Sequence, residues 1–169
     1  RAKEKIVEDL LEKFFSEYLI EFQTLLSDSF WKDSSHELTL RTLDLQEDKN
    51  EELLVLLEKL GQRATGFEFY RTPLGQQILI RQVAAMFAAA AEKKKTKLNI
   101  LFPMIKNKED LEFLQTQILP HARKMARKRL SSHPHFGLMV ETVESLKNIR
   151  EILLDSRYRF MSVGTNDLT

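Results

Sequence analysis

With 169 residues, 43% of them hydrophobic, the chain is long enough to bury one sizeable core. Its 26 basic and 25 acidic residues leave a net charge of +1, which excludes the clustered basic excess of a dedicated nucleic-acid surface. Cys is absent, so disulfides and thiolate metal sites are excluded, and no apolar run reaches membrane-spanning length.

The first residues, Arg1 to Lys5, are charged, unlike a signal peptide. There is no initiator Met and the chain stops in a polar stretch, which gives the expectation of a piece excised from a longer protein. Across residues 3–26, Ile6, Leu10, Leu11, Phe14, Phe15, Leu19, Phe22 and Leu26 recur at helical spacing and predict a long amphipathic helix. Polar, turn-rich stretches at 27–29 and 32–37 punctuate the chain, and 38–44 reads as a strand ending on Arg41 and Asp44. A charged loop over 46–50 leads to a short helix over 51–60, closed by Gly61. Residues 62–72 read as irregular.

Thr72 and Pro73 suit the cap and first turn of a helix that runs to about residue 92. Its later part, 84–91, is alanine-rich, which favours helix and lets it pack closely on a sheet. Lys93, Lys94 and Lys95 complement the dipole at its end. A strand follows over 97–105. A helix over 107 to about 129 is expected to be interrupted near Pro120, and its end is a basic, solvated face. His133-Pro134-His135 reads as a tight loop, and 136–141 as a strand ending on Glu141. A helix over 142–154 and a last strand over 158–163 complete the series, with Asn166 and Asp167 just beyond it. Trp31, Phe67, Phe69 and Tyr70 read as packing residues.

Four mostly apolar strands alternating with helices predict an α/β fold with a parallel sheet covered on both faces. Such folds hold ligands at the carboxyl ends of their strands. Arg41, Glu141 and Asp167 all fall there, and an arginine with two carboxylates suggests a divalent cation holding an anionic substrate. Taken singly, each has a structural reading: an ion pair for Arg41, a loop or helix cap for the carboxylates.

Four blocks carry a resemblance. Arg41-Thr42-Leu43-Asp44-Leu45-Gln46-Glu47-Asp48-Lys49 resembles the R-T-x-D-x-G-G-D-K stretch of phosphoenolpyruvate-utilising enzymes. Leu101-Phe102-Pro103-Met104-Ile105 resembles their F-P-M-I strand, and Gly137-Leu138-Met139-Val140-Glu141-Thr142 their G-x-M-V-E-T. Ser162-Val163-Gly164-Thr165-Asn166-Asp167-Leu168-Thr169 resembles S-x-G-T-N-D-L-T. The order and spacing are most similar to the phosphoenolpyruvate–protein phosphotransferases of bacterial sugar transport.

The resemblance covers about residues 12–169. It implies that 1–169 is a single partial domain, a fragment of an eight-stranded TIM-type barrel with about four parallel strands. It implies that Arg41 and Asn166 bind substrate and that Glu141 and Asp167 ligate Mg²⁺. The implied reaction moves the phosphoryl group of phosphoenolpyruvate to a histidine on another domain, through which a phosphocarrier protein is served. A cytoplasmic homodimer without membrane insertion is expected. No catalytic residue of the family falls within the chain, so the piece alone is expected to be inactive. The open edges of a partial barrel add an expectation of self-association.

Two departures from the family pattern stand out. Gln46 and Glu47 replace two glycines. Gly66-Phe67-Glu68-Phe69-Tyr70-Arg71 aligns with G-W-R-A-I-R, which puts Glu68 where the family has a substrate-contacting arginine, an anion expected to repel phosphate. Two other functions therefore stay open: a Mg²⁺-dependent lyase or aldolase acting on pyruvate-like enolates, and a degenerate regulatory barrel without catalysis.

Overall fold

A computed structural model describes residues 2–27, 37–44, 55, 57–59, 61–91, 97–127 and 133–165. Four strands, β1 (Glu37–Arg41), β2 (Lys97–Phe102), β3 (His135–Val140) and β4 (Phe160–Val163), form one parallel sheet in the order β1-β2-β3-β4. Each pairs with its neighbour in sequence, and helices fill the crossovers. The sheet curls into a half-barrel, a fragment of a TIM-type α/β barrel. Arg41 stands opposite Leu101, Leu101 opposite Gly137, and Gly137 opposite Phe160.

Side chains alternate across the strands. Leu98, Ile100, Phe102, Phe136 and Leu138 point to the helices and join the buried core. The alternate positions, Thr39, Arg41, Asn99, Leu101, Gly137 and Met139, line the barrel interior. There the Phe160 ring covers Gly137 so closely that a Cβ on Gly137 would lie 2.3 Å from it. On the outward face of β4, Met161 and Val163 are exposed.

The helices are α1 (Ala2–Ser27), α2 (Gly66–Arg71), α3 (Pro73–Ala91), α4 (Lys108–Phe113), α5 (Leu119–Ala126), α6 (Val143–Lys147) and α7 (Ile149–Leu153). The α3 helix packs against α1, α2 and α5. Every residue from Val83 to Ala90 is at most 4% exposed, which explains its run of small side chains. Its entry is capped as expected: the Thr72 hydroxyl accepts from the Gly75 amide at 3.1 Å. Residues 57–59 are helical, and the Gly61 and Gln62 amides close that turn on the carbonyls of Glu58 and Leu57.

Five sequence expectations need correction. Residues 66–71 are helical rather than irregular, because Phe67, Phe69 and Tyr70 bury their rings in the core. The interruption expected near Pro120 is a change of winding, not an end of the helix. A π-helical turn, Leu114–Ile118, joins α4 to α5, and its wider winding absorbs the missing N–H and the bulk of the ring. The helix expected over 142–154 divides at Asn148, whose amide side chain donates to the Lys106 carbonyl at 3.1 Å. The strands expected to reach residues 44 and 105 end at Arg41 and Phe102. The last strand starts at Phe160 because residues 155–158 form a tight turn, with the Tyr158 amide donating to the Asp155 carbonyl at 3.2 Å.

Candidate functional site

The carboxyl ends of the strands form one rim. Arg41 closes β1 on the interior face, and its position is set by the ladder, since the next amide, Thr42, still donates to the Leu101 carbonyl at 3.0 Å. The Arg41 side chain is exposed. Its one polar contact among the described residues is with the Met139 sulfur, 3.8 Å away across the sheet. Beyond it the chain is clamped by side chains rather than by a strand. The Leu43 amide donates to the buried Gln82 side chain at 2.9 Å, and the Leu43 carbonyl accepts from the Tyr70 hydroxyl. Asp44 is buried near Tyr70; burial first and the Asp44 charge second push the phenol far above its ordinary range. Gln46, Glu47 and Lys49 lie outside the described residues.

Glu141 directly follows β3 and is 1% exposed. One carboxylate oxygen, Oε1, accepts from the Met104 amide at 2.7 Å. Met104 lies just past β2 with φ at 59°, a left-handed backbone that costs a non-glycine residue about 1 kcal/mol and is held here by its surroundings. The other oxygen, Oε2, lies beside Gly164, at the end of β4. Thr142, not Glu141, caps α6: its hydroxyl accepts from the Ser145 amide at 3.0 Å, and the Ser145 hydroxyl accepts in turn from the Thr142 amide at 3.1 Å.

The structure therefore brings Arg41 and Glu141 to the same face of the same rim, linked through Met139, which touches the Arg41 guanidinium and packs against Gly164. Asn166 and Asp167 lie outside the described residues, two and three positions after Gly164. Among the described residues no three His, Cys, Asp or Glu side chains group as a metal site. Mg²⁺ needs only one or two carboxylates beside water and substrate oxygens, so a buried carboxylate flanked by a glycine is a donor of the right chemistry.

Sequence reasoning missed the second layer of the rim. Asp110, 1% exposed, accepts from the Arg71 guanidinium at 2.6 Å and the Lys106 amide at 2.9 Å. Glu68, read as a repulsive anion, sits between two cations: Lys106 at 3.6 Å and Arg71 at 3.9 Å. Its charge is thus locally balanced. The spacing Asn107-x-x-Asp110 at a helix start was a legible signal, and the Asn107 side chain does cap the Asp110 amide at 3.1 Å. Lys106 gave no such signal. Among the described residues His133 and His135 join no metal cluster, and no described helix is long and apolar enough to cross a membrane.

Residues 16–169 match the family model described as the PEP-binding domain of PEP-utilising enzymes. Over 136 residues the chain is 31% identical to an Escherichia coli (strain K12) protein described as "Phosphoenolpyruvate-dependent phosphotransferase system". That alignment covers 78% of this chain and 17% of the relative, so the chain spans less than a fifth of that protein's length.

Proposed function

The chain belongs to the PEP-utilising enzymes, within their PEP-binding domain, and from that premise we propose that its rim holds phosphoenolpyruvate with Mg²⁺ in a phosphoenolpyruvate–protein phosphotransferase. The observation that carries this reading is the meeting of an exposed guanidinium, with no carboxylate partner among the described residues, and a buried carboxylate at one end of one parallel sheet.

In this reading Arg41 grips phosphate oxygens through its fork of N–H donors and offsets the charge that spreads over them during transfer. Glu141 supplies a carboxylate oxygen to Mg²⁺, and Asp167 and Asn166, which follow β4 in the sequence, add a ligand and a phosphate contact. A bound Mg²⁺ supplies charge neutralisation at the phosphate and the departing oxygen. The packed shell of Met104, Met139 and Gly164 fixes the Glu141 carboxylate before any ligand arrives, so less ordering is left to binding. The acceptor is a histidine on another domain, served in turn by a phosphocarrier protein, in a cytoplasmic sugar-transport relay.

Titration calorimetry of the full-length protein tests the assignment. Phosphoenolpyruvate binding is expected to need Mg²⁺, and Glu141→Gln or Asp167→Asn to remove that requirement along with most of the affinity. Wild-type affinity in both variants overturns the metal reading.

A further inference from the structure

We propose that Gly164 is a positioning residue for the Glu141 carboxylate: β4 is followed by a residue with no side chain so that this carboxylate can stand between the ends of β3 and β4. The inference deepens the reading of Glu141 as a cation ligand and rests on it.

Close approach is the first observation. A Cβ on Gly164 would lie 2.9 Å from the Glu141 Cβ, 3.0 Å from its Oε2 and 3.1 Å from the Met139 methyl. The Met139 methyl can swing aside, but the Glu141 Cβ is bonded to the backbone and cannot. The second observation is that neither chain is free to retreat far. The Gly164 amide donates to the Val140 carbonyl at 3.0 Å, one bond past the end of the β3–β4 ladder. On the other side, Oε1 of Glu141 is tied to the Met104 amide, and Thr142 is pinned by its reciprocal bonds with Ser145. A methyl group at position 164 therefore meets the Glu141 Cβ head-on, and the strain is relieved by a small shift of the Glu141 backbone that carries the carboxylate out of its place. Residues that orient a metal ligand commonly change metal affinity by about 10- to 100-fold. The bland alternative is that Gly164 merely lets two strands pack, with no specific link to the carboxylate.

A double-mutant cycle separates the two. Mn²⁺ binding to the full-length protein is followed by electron paramagnetic resonance in wild type, Gly164→Ala, Glu141→Gln and the double variant. The expected result is about tenfold weaker binding in Gly164→Ala with its circular dichroism unchanged, and no further loss when Gly164→Ala is added to Glu141→Gln. Wild-type affinity in Gly164→Ala, or losses that simply multiply in the double variant, overturns the positioning role. Wild-type affinity in Glu141→Gln is a separate failure, that of the metal reading itself. Should Gly164→Ala not fold, hydrogen exchange on the wild type decides: Mg²⁺ is expected to slow exchange of the Gly164 amide, and unchanged exchange overturns the proposal.

Discussion

Two arginines stand at the same rim and have opposite surroundings. Arg71 is committed: it meets the buried Asp110 carboxylate at 2.6 Å and lies over the Phe67 and Phe113 rings at 5.7 and 5.2 Å. Arg41 is exposed and touches only a thioether sulfur among the described residues. A guanidinium with its own buried carboxylate and two aromatic faces is part of the fold, because removing it strands a charge. An exposed rim guanidinium with no anion beside it among the described residues is one that an incoming anion can take. The difference separates stability from binding, and each arginine should fail in only one of these ways.

The largest effect is expected at Arg71. Arg71→Leu leaves Asp110 buried without its guanidinium and should cost about 3 kcal/mol in urea unfolding. The penalty depends on pH. Burial, the largest influence, raises the Asp110 pKa above the ordinary value, while the Lys106 amide and Arg71 pull it back down. With a raised folded pKa, the contribution of this group to stability is complete at pH below the ordinary carboxylate value. It is lost as pH rises through the folded value. Without Arg71 the folded value climbs further. The gap between wild type and variant should therefore be small in acid and open as pH rises above about 4. A gap independent of pH would mean that lost packing on Phe67 and Phe113, not the ion pair, is the cause.

Next comes Arg41→Met, expected to weaken phosphoenolpyruvate binding about tenfold, or roughly 1.4 kcal/mol. Its unfolding free energy should stay within about 0.5 kcal/mol of wild type. Equal losses of stability in the Arg41 and Arg71 variants would break the contrast. The smallest effect is expected at Glu68, which is half exposed and shared between Lys106 and Arg71. Glu68→Gln releases both cations and should raise affinity for phosphoenolpyruvate roughly two- to fivefold, the range of an exposed ion pair. Unchanged affinity would show that Lys106 does not reach the ligand.

Much of the fold was legible because strands and long helices have a repeating signal. The apolar runs around Ile100 and Leu138 and the spacing from Ile6 to Leu26 gave the elements in order, and Arg41 and Glu141 were placed at strand ends by position alone. What escaped had no period to read. The α2 helix is six residues long and starts on a glycine. The π-helical turn before Pro120 depends on winding that no residue type announces.

The sequence by itself determined the alternation of strand and helix, the polar residues at the strand ends and, through four ordered blocks, the family. Local chemistry suffices for these, because hydrophobic period and turn residues act over a few positions. Only the tertiary structure decided which charges are spent and which are available. Arg71 and Asp110 are 39 residues apart, Met104 and Glu141 are 37 apart, and each pair meets only because parallel strands stack their ends at one rim. The closeness of Gly164 to Glu141 belongs to the same class: it comes from the spacing of neighbouring strands, which no single segment of chain encodes.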